Sequence, residues 1–355
     1  MAQILAESFH AELWTGHSDE GAYPDGYFGD LELKSLEAYE SSPRILGFSK
    51  ILQLWWAFAH FPVTTVKWTV FLGSLTPLAN KRIAGKKIFY CLTPPRLLYD
   101  QRKFMLRQIP KWQRPFLKVI MSSYRSAYKK AVGQMDVIIS ISKTVKDRVR
   151  RFLGYESQVI YPPCDTQGFR YIEEGDYYLS TARLDSLKRV DLIVRAFLNI
   201  PDSKLIVVSG GPQITEIEKL ARKGKNIQVV GWVDEQRLKD LIGRCIATVY
   251  IPRDEDFGLS PVESMAAGKP VIGIQEGAIP ETVVHEKTGF LIRPNPTYED
   301  IIAAVHRMDS WTAVKMREAC EERSKLFDTS VFIEEMRQVI ERSCQGSGST
   351  GEASP

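Results

Sequence analysis

The chain has 355 residues, 44% hydrophobic and 25% charged, with a formal net charge of +4. That length exceeds one ordinary core and suits two domains of roughly 150 residues, and the composition is that of a soluble globular protein. The five scattered cysteines form no C-x-x-C pair, and the five histidines follow no zinc-ligand spacing. A disulfide framework and a metal site are therefore not expected, and the pattern fits a reduced, cytosolic setting.

The opening MAQILAESFH lacks the basic-then-apolar order of a secretory signal. The run ILQLWWAFAHFPVTTV (51–66) is uncharged but short for a membrane span and contains Pro62, so it reads as a buried or interfacial helix. WTVFLGS (68–74), KIFYCLT (87–93) and MDVIISIS (135–142) read as strands of a first α/β domain. Between the last two, Gln101 to Met135 holds nine Lys/Arg and no acid, with Trp112, Phe116, Val119 and Tyr124 interleaved. Basic residues beside aromatics on a helix suit an anionic membrane surface; a solvated basic face is the plainer alternative. No nucleic-acid motif accompanies the stretch, so nucleic acid is not expected as a partner.

QVIYPPCDTQGF (158–169) marks the join between domains. Beyond it, DYYLSTA, KLIVVSGG, NIQVVGW, ATVYIP and PVIGI read as strands. They alternate with the helical patterns VDLIVRAFLN, TEIEKLARKG, DEQRLKDLIGRC and SPVESMAAG. This order implies a parallel sheet covered by helices on both faces, with ligands bound beyond the carboxyl ends of its strands. Two more helices, SWTAVKMREACEERSKLF and TSVFIEEMRQVIERSC, follow. The expected limits are 1–163 for the first domain, 164–327 for the second, 328–345 for a helix crossing back, and 346–355 for a disordered Gly/Ser tail.

The loops after the strands carry the chemistry. RLDSLKRVD sets Arg183 and Lys188 between a strand and a helix start, where a guanidinium and an ammonium suit phosphate oxygens. Gly210-Gly211-Pro212 permits close backbone approach. In EDFGLSPVESMAAGKP, Glu255 and Glu263 have seven residues between them, among them Phe257-Gly258-Leu259. Ser260, Pro261 and Glu263 read as a capping box, which would give Glu263 a purely structural task. The other reading has Glu263 accept hydrogen bonds from sugar hydroxyls while the N–H groups at the helix start face a pyrophosphate. Glu255 lies too far ahead of the helix to cap it. Basic, glycine-rich and carboxylate loops at one sheet edge suit a nucleotide sugar.

RDEDFGLSPVESMAAGKPVIGIQEGAIPETVVHEKTGFLI resembles the E-x7-E signature of retaining glycosyltransferase family 4. The resemblance extends through STARLDSLKRVDLIVRAF, VVSGGP, VVGWVDEQRLKDLI and DVIISISKTVKDRVRRFLG, and YCLTPPRLLYDQR is similar to the WbaZ-type mannosyltransferases. It implies a GT-B fold, two Rossmann-like domains facing a cleft, and sugar transfer with retention and without metal or other cofactor. By the resemblance Arg183 and Lys188 hold the donor pyrophosphate. Glu255 touches the sugar, Glu263 the ribose and Val233 the base, while Gly211 and the Phe257, Gly258 and Leu259 backbone complete the donor site. Arg96 belongs to the acceptor side.

The implied reaction moves mannose from GDP-mannose to a lipid-linked or polysaccharide acceptor, and the basic segment 101–135 puts the expected protein peripherally on the cytoplasmic membrane face. The chain departs from the pattern twice. Its first domain lacks the usual opening strand and glycine loop, and Leu92 stands where relatives carry histidine. A nucleotide-sugar-binding protein without transferase activity is the alternative these departures favour.

Overall fold

The computed structural model describes residues 1–16, 31–36, 49–100, 102, 106 and 110–345. The tail 346–355 and, in the basic segment, residues 101, 103–105 and 107–109 lie outside them. Two compact units emerge, Tyr161–Phe332 and Met1–Ile160 with Ile333–Pro355.

In the first unit the described elements are α1 (Ala2–Phe9), β1 (Leu13–Thr15), β2 (Leu33–Ser35), α2 (Ser49–Ala59), β3 (Thr64–Leu72) and β4 (Ile83–Cys91). They continue as α3 (Arg114–Val132), β5 (Val137–Ser140), α4 (Lys143–Leu153) and β6 (Gln158–Val159). Strands β3-β4-β5-β6 form one parallel sheet and β1-β2 a separate parallel pair. Helix α4 is bounded as its sequence dictates. Ser142 caps it by accepting the Val145 N–H at 3.0 Å, and Gly154 ends it in the left-handed region at φ 77°.

The run 51–66 departs from expectation, because its helix stops at Ala59 and its last residues open β3. Pro62 withholds a helical N–H, and the β-branched Val63-Thr64-Thr65-Val66 that follows fits a pleated strand better. Among the described residues no helix is long and apolar enough to cross a membrane.

The second unit contains β7 (Tyr177–Ser180), α5 (Val190–Leu198), β8 (Lys204–Val208), α6 (Ile214–Ala221), β9 (Ile227–Gly231) and α7 (Glu235–Arg244). After these come β10 (Thr248–Val249), α8 (Leu259–Ala266), β11 (Val271–Ile274), α9 (Ile279–Thr282), β12 (Gly289–Ile292), α10 (Tyr298–Arg307) and α11 (Ser310–Ser324). Helix α12 (Thr329–Gln345) starts in this unit, and its residues from Ile333 onward pack with the first.

The six strands are parallel, in the order β12-β11-β10-β7-β8-β9. Renumbered from β7, that is the 3-2-1-4-5-6 order of the doubly wound fold read from its far edge. The order reverses between β7 and β10, so the loops leaving those two strands flank the crevice where such sheets bind ligands. Strand β11 is buried at all four positions, as a central strand between two helical layers must be.

Candidate functional site

The loops after β7 and β10 are tied together across that reversal point. Asp185 turns the first loop by accepting the Leu187 and Lys188 N–H groups on one oxygen, at 2.9 and 3.2 Å. The Lys188 side chain is thereby aimed at the neighbouring strand end. Its Nζ donates to Glu255 Oε2 at 2.6 Å and to the Tyr250 hydroxyl at 2.9 Å. Backbone joins the loops as well, Arg253 N–H donating to Leu187 O at 2.7 Å. Burial, with Glu255 beside it, holds the Tyr250 phenol well above its usual pKa, so it stays a neutral hydroxyl. Arg183 stands at the mouth of the same loop, exposed, and among the described residues its side chain has no hydrogen-bond partner.

The Glu255 loop is held from below by residues that the sequence reading passed over. Arg189, left-handed at φ 53°, forms a buried ion pair with Glu276 at 3.2 Å. Glu276 Oε1 also accepts the Asp254 N–H at 2.9 Å, and Glu255 O accepts the Ala278 N–H at 3.0 Å. Gly277, at φ 61°, lies so close that a Cβ there would meet both Glu255 N and O at 2.6 Å. The available signal was the stretch QEGAIPE, which leaves a strand at its carboxyl end like the other site loops.

The capping box is corrected. Helix α8 begins at Leu259 with Gly258 at its N-cap, at φ 84°, and no side chain caps it. A Cβ on Gly258 would press on Ile279 and Tyr250 at 3.0 and 3.2 Å, so the start is fixed by a backbone shape that glycine alone adopts easily. Ser260 thus stands at N2 and Glu263 at N5, so neither occupies its capping-box position.

Glu263 is half-buried and has no hydrogen-bond partner among the described residues. Burial, reinforced by Glu235 and opposed by Lys239, raises its pKa to about 7. A half-buried carboxyl with no hydrogen-bond partner among the described residues is a group kept for a ligand or at a cost.

The remaining expected residues are distributed as follows. The Phe257 ring is buried against Tyr161 and Phe327, with centroids 5.6 Å from each. Leu259 is exposed at the head of α8. Val233 packs on a core cluster that includes Leu179, Val208 and Leu241.

Gly211, at φ 154°, is required by its own chain, since a Cβ there would sit 2.4 Å from Leu184 O. Beside it the indole of Trp232, 79% exposed, occupies the space a Gly210 side chain would need. Arg96 lies in the first unit, where its guanidinium donates to Asp100 at 3.0 and 3.1 Å, and Leu92 nearby in sequence is exposed.

The site therefore offers cations, a neutral phenol and an unpartnered carboxyl at one sheet edge. Residues 167–327 match the family model described as glycosyl transferases group 1. That match covers nearly all of the second unit. An α-1,3/1,6-mannosyltransferase, ALG2 of Dictyostelium discoideum, is 25% identical over 67% of this chain and 65% of its own. The chain thus spans just under two thirds of that relative's length. Sucrose-phosphate synthase of Thermosynechococcus elongatus superposes with a TM-score of 0.76 at 19% identity, covering 97% of this chain and 92% of that one. HepE of Anabaena, solved with UDP and glucose, gives 0.71 at 12% identity, covering 96% and 94%. The fold is accordingly GT-B, mixed α/β with parallel sheets in both units.

Proposed function

We propose that the protein transfers a sugar from a nucleoside-diphosphate donor with retention and without metal. The sugar is mannose, from GDP-mannose, and the acceptor a lipid-linked or polysaccharide glycan. The observation that carries this reading is the Lys188–Tyr250–Glu255 cluster bridging the strand-order reversal. Arg183, Lys188 and the N–H groups at the start of α8 take the diphosphate, whose charge grows as the glycosidic bond breaks. Glu255 accepts from the sugar hydroxyls and Glu263 from the ribose. Val233, Gly211 and the Phe257–Leu259 backbone shape the rest of the donor pocket, and Arg96 serves the acceptor. Mannose draws its support from the activity of the Dictyostelium relative.

The test is nucleoside-diphosphate release from a panel of GDP- and UDP-sugars, with and without lipid extract, followed by mass spectrometry of the lipids. Release from GDP-mannose with a hexose mass gain on a lipid is the expected result. Binding of one nucleotide with every donor left intact would make the protein a nucleotide-sugar-binding module instead.

Glu263 gives a pH signature. Its raised pKa favours the protonated, folded form, so its contribution to stability is full below about 4.5 and is lost as pH rises towards 7. Glu263→Gln keeps a neutral side chain and is expected to stabilise the free protein by on the order of 2–3 kcal/mol at pH 8 and by almost nothing at pH 4.5. GDP-mannose does not titrate in this range, and a carboxylate accepts from ribose where an acid does so poorly. Its affinity should rise roughly tenfold from pH 6 to 8 in the parent and stay flat in the variant. A pH-dependent affinity that survives in Glu263→Gln removes the ribose assignment.

Attachment to an anionic membrane face through 101–135 belongs to the same proposal. Trp112, in the turn before α3, and Phe116 and Val119, in its first two turns, are 75%, 61% and 66% exposed. Exposed Lys111 and Lys118 flank them. Flotation with anionic vesicles should recover the protein in low salt and lose most of it in 0.5 M salt or with neutral vesicles. Equal recovery with both lipids sinks the electrostatic docking.

A further inference from the structure

The second unit exposes two tryptophans, and they differ in what covers them. Trp311, 66% exposed on α11, has the Lys315 ammonium 3.0 Å from its ring centroid. Trp232 is 79% exposed, and among the described residues no ring or cation lies over it. It follows β9 directly, at the carboxyl end of the sheet from which the loops after β7, β8 and β10 also leave. Strands lie ~4.8 Å apart, so β9 ends ~12 Å from the reversal between β7 and β10. Lys188 and Glu255 stand at that reversal. A nucleotide with its diphosphate there and its length along the strand ends carries its base towards β9.

Two glycines set the indole in place. Gly231, at φ 79°, turns the chain out of β9. A Cβ on Gly210 would meet Nε1, Cδ1 and Cε2 of Trp232 at 2.1, 2.7 and 3.0 Å, and nothing else lies nearer to it. The indole thus rests on the backbone that follows β8 and leaves most of its surface open. Val233 is turned instead onto the core cluster around Leu179. The Glu263 carboxyl feels the charge of Glu235, three residues beyond Trp232, so the start of α7 and Glu263 are neighbours.

Polar side chains of that turn are already engaged with their own helix. Asp234 accepts the Arg237 N–H at 2.7 Å, Glu235 pairs with Lys239 at 2.6 Å, and Gln236 donates to Asp240 at 3.2 Å. We propose, resting on the nucleotide-sugar reading, that Trp232 is the platform on which the base of the donor stacks, and that it selects a purine by area. A bicyclic indole covers both rings of a purine, whereas a pyrimidine leaves half of it bare. Every base has a π-face, so this platform treats guanine and adenine alike.

The test is calorimetric titration of the full chain with GDP, ADP, UDP and pyrophosphate. Trp232→Ala should weaken GDP and ADP by about tenfold or more, weaken UDP less, and leave pyrophosphate, which has no base, unchanged. Trp232→Phe keeps an aromatic face and should recover most of the purine affinity. Gly210→Ala, which pushes the indole aside, should weaken GDP in the parent and do nothing further in Trp232→Ala. Equal purine affinity in Trp232→Ala, or a loss shared by pyrophosphate, would overturn the platform while leaving the nucleotide-sugar reading intact. A parent chain that binds no nucleoside diphosphate would overturn both.

Discussion

Lys188→Met is expected to lower donor turnover by about 10²–10³-fold, the range seen when one preorganised charge facing a developing negative charge is removed. Methionine keeps the length and apolar stem of lysine, so the loop after β7 should hold its shape, with Asp185 still accepting the Leu187 and Lys188 N–H groups. What disappears is the cation between Tyr250 and Glu255. Two mechanisms would lower turnover, and a double-mutant cycle separates them. If Lys188 acts by orienting Glu255, the pair Lys188→Met and Glu255→Gln should be no slower than Glu255→Gln alone. If Lys188 contacts the diphosphate, the double variant should lose a further tenfold or more, with KM for the donor raised. Full turnover in folded Lys188→Met would remove this cluster from the reaction.

The sequence made the second unit legible because its strands are short apolar runs separated by helical patterns, and the strand-end loops follow from that order alone. Lys188 and Glu255 could be singled out as polar groups at one sheet edge. Their direct bond could not, because it depends on β7 and β10 being neighbours, which chain order does not state. Glu276 was missed for the same reason, its partner Arg189 lying 87 residues away.

Glu263 was ambiguous. Ser-Pro-x-Glu fits a capping box in any helix start, and what decides against it is the conformation of Gly258, a tertiary property imposed by Tyr250 and Ile279. Strand β12 and helix α10 went unread. The strand opens on Gly289, which weakens the β signal but is required, since a Cβ there would meet Val271 O at 2.0 Å. In the first unit WTVFLGS reads as a strand whose apolar run suits burial on both faces, and among the described residues β3 stands at a sheet edge. That conflict between pattern and position could only be seen in three dimensions.

The second large effect concerns the strut beneath the site. Glu276→Ala is expected to cost about 3–5 kcal/mol, because it strands the Arg189 guanidinium in a buried position and frees the Asp254 N–H at once. Part of the loss is the uncompensated charge, and Arg189→Met combined with Glu276→Leu should recover much of it, as apolar replacements of buried pairs often do. Urea unfolding with an unchanged m-value reads both variants.

Activity should not return with stability. The double variant still lacks the carboxylate that accepts the Asp254 N–H and fixes the backbone leading to Glu255, so its donor KM should remain raised tenfold or more. Arg189 and Glu276 would then be positioning residues, acting on the donor through the Glu255 loop. A double variant with normal KM would reduce them to a stabilising pair and leave Gly277 and the Ala278 N–H to hold Glu255 unaided.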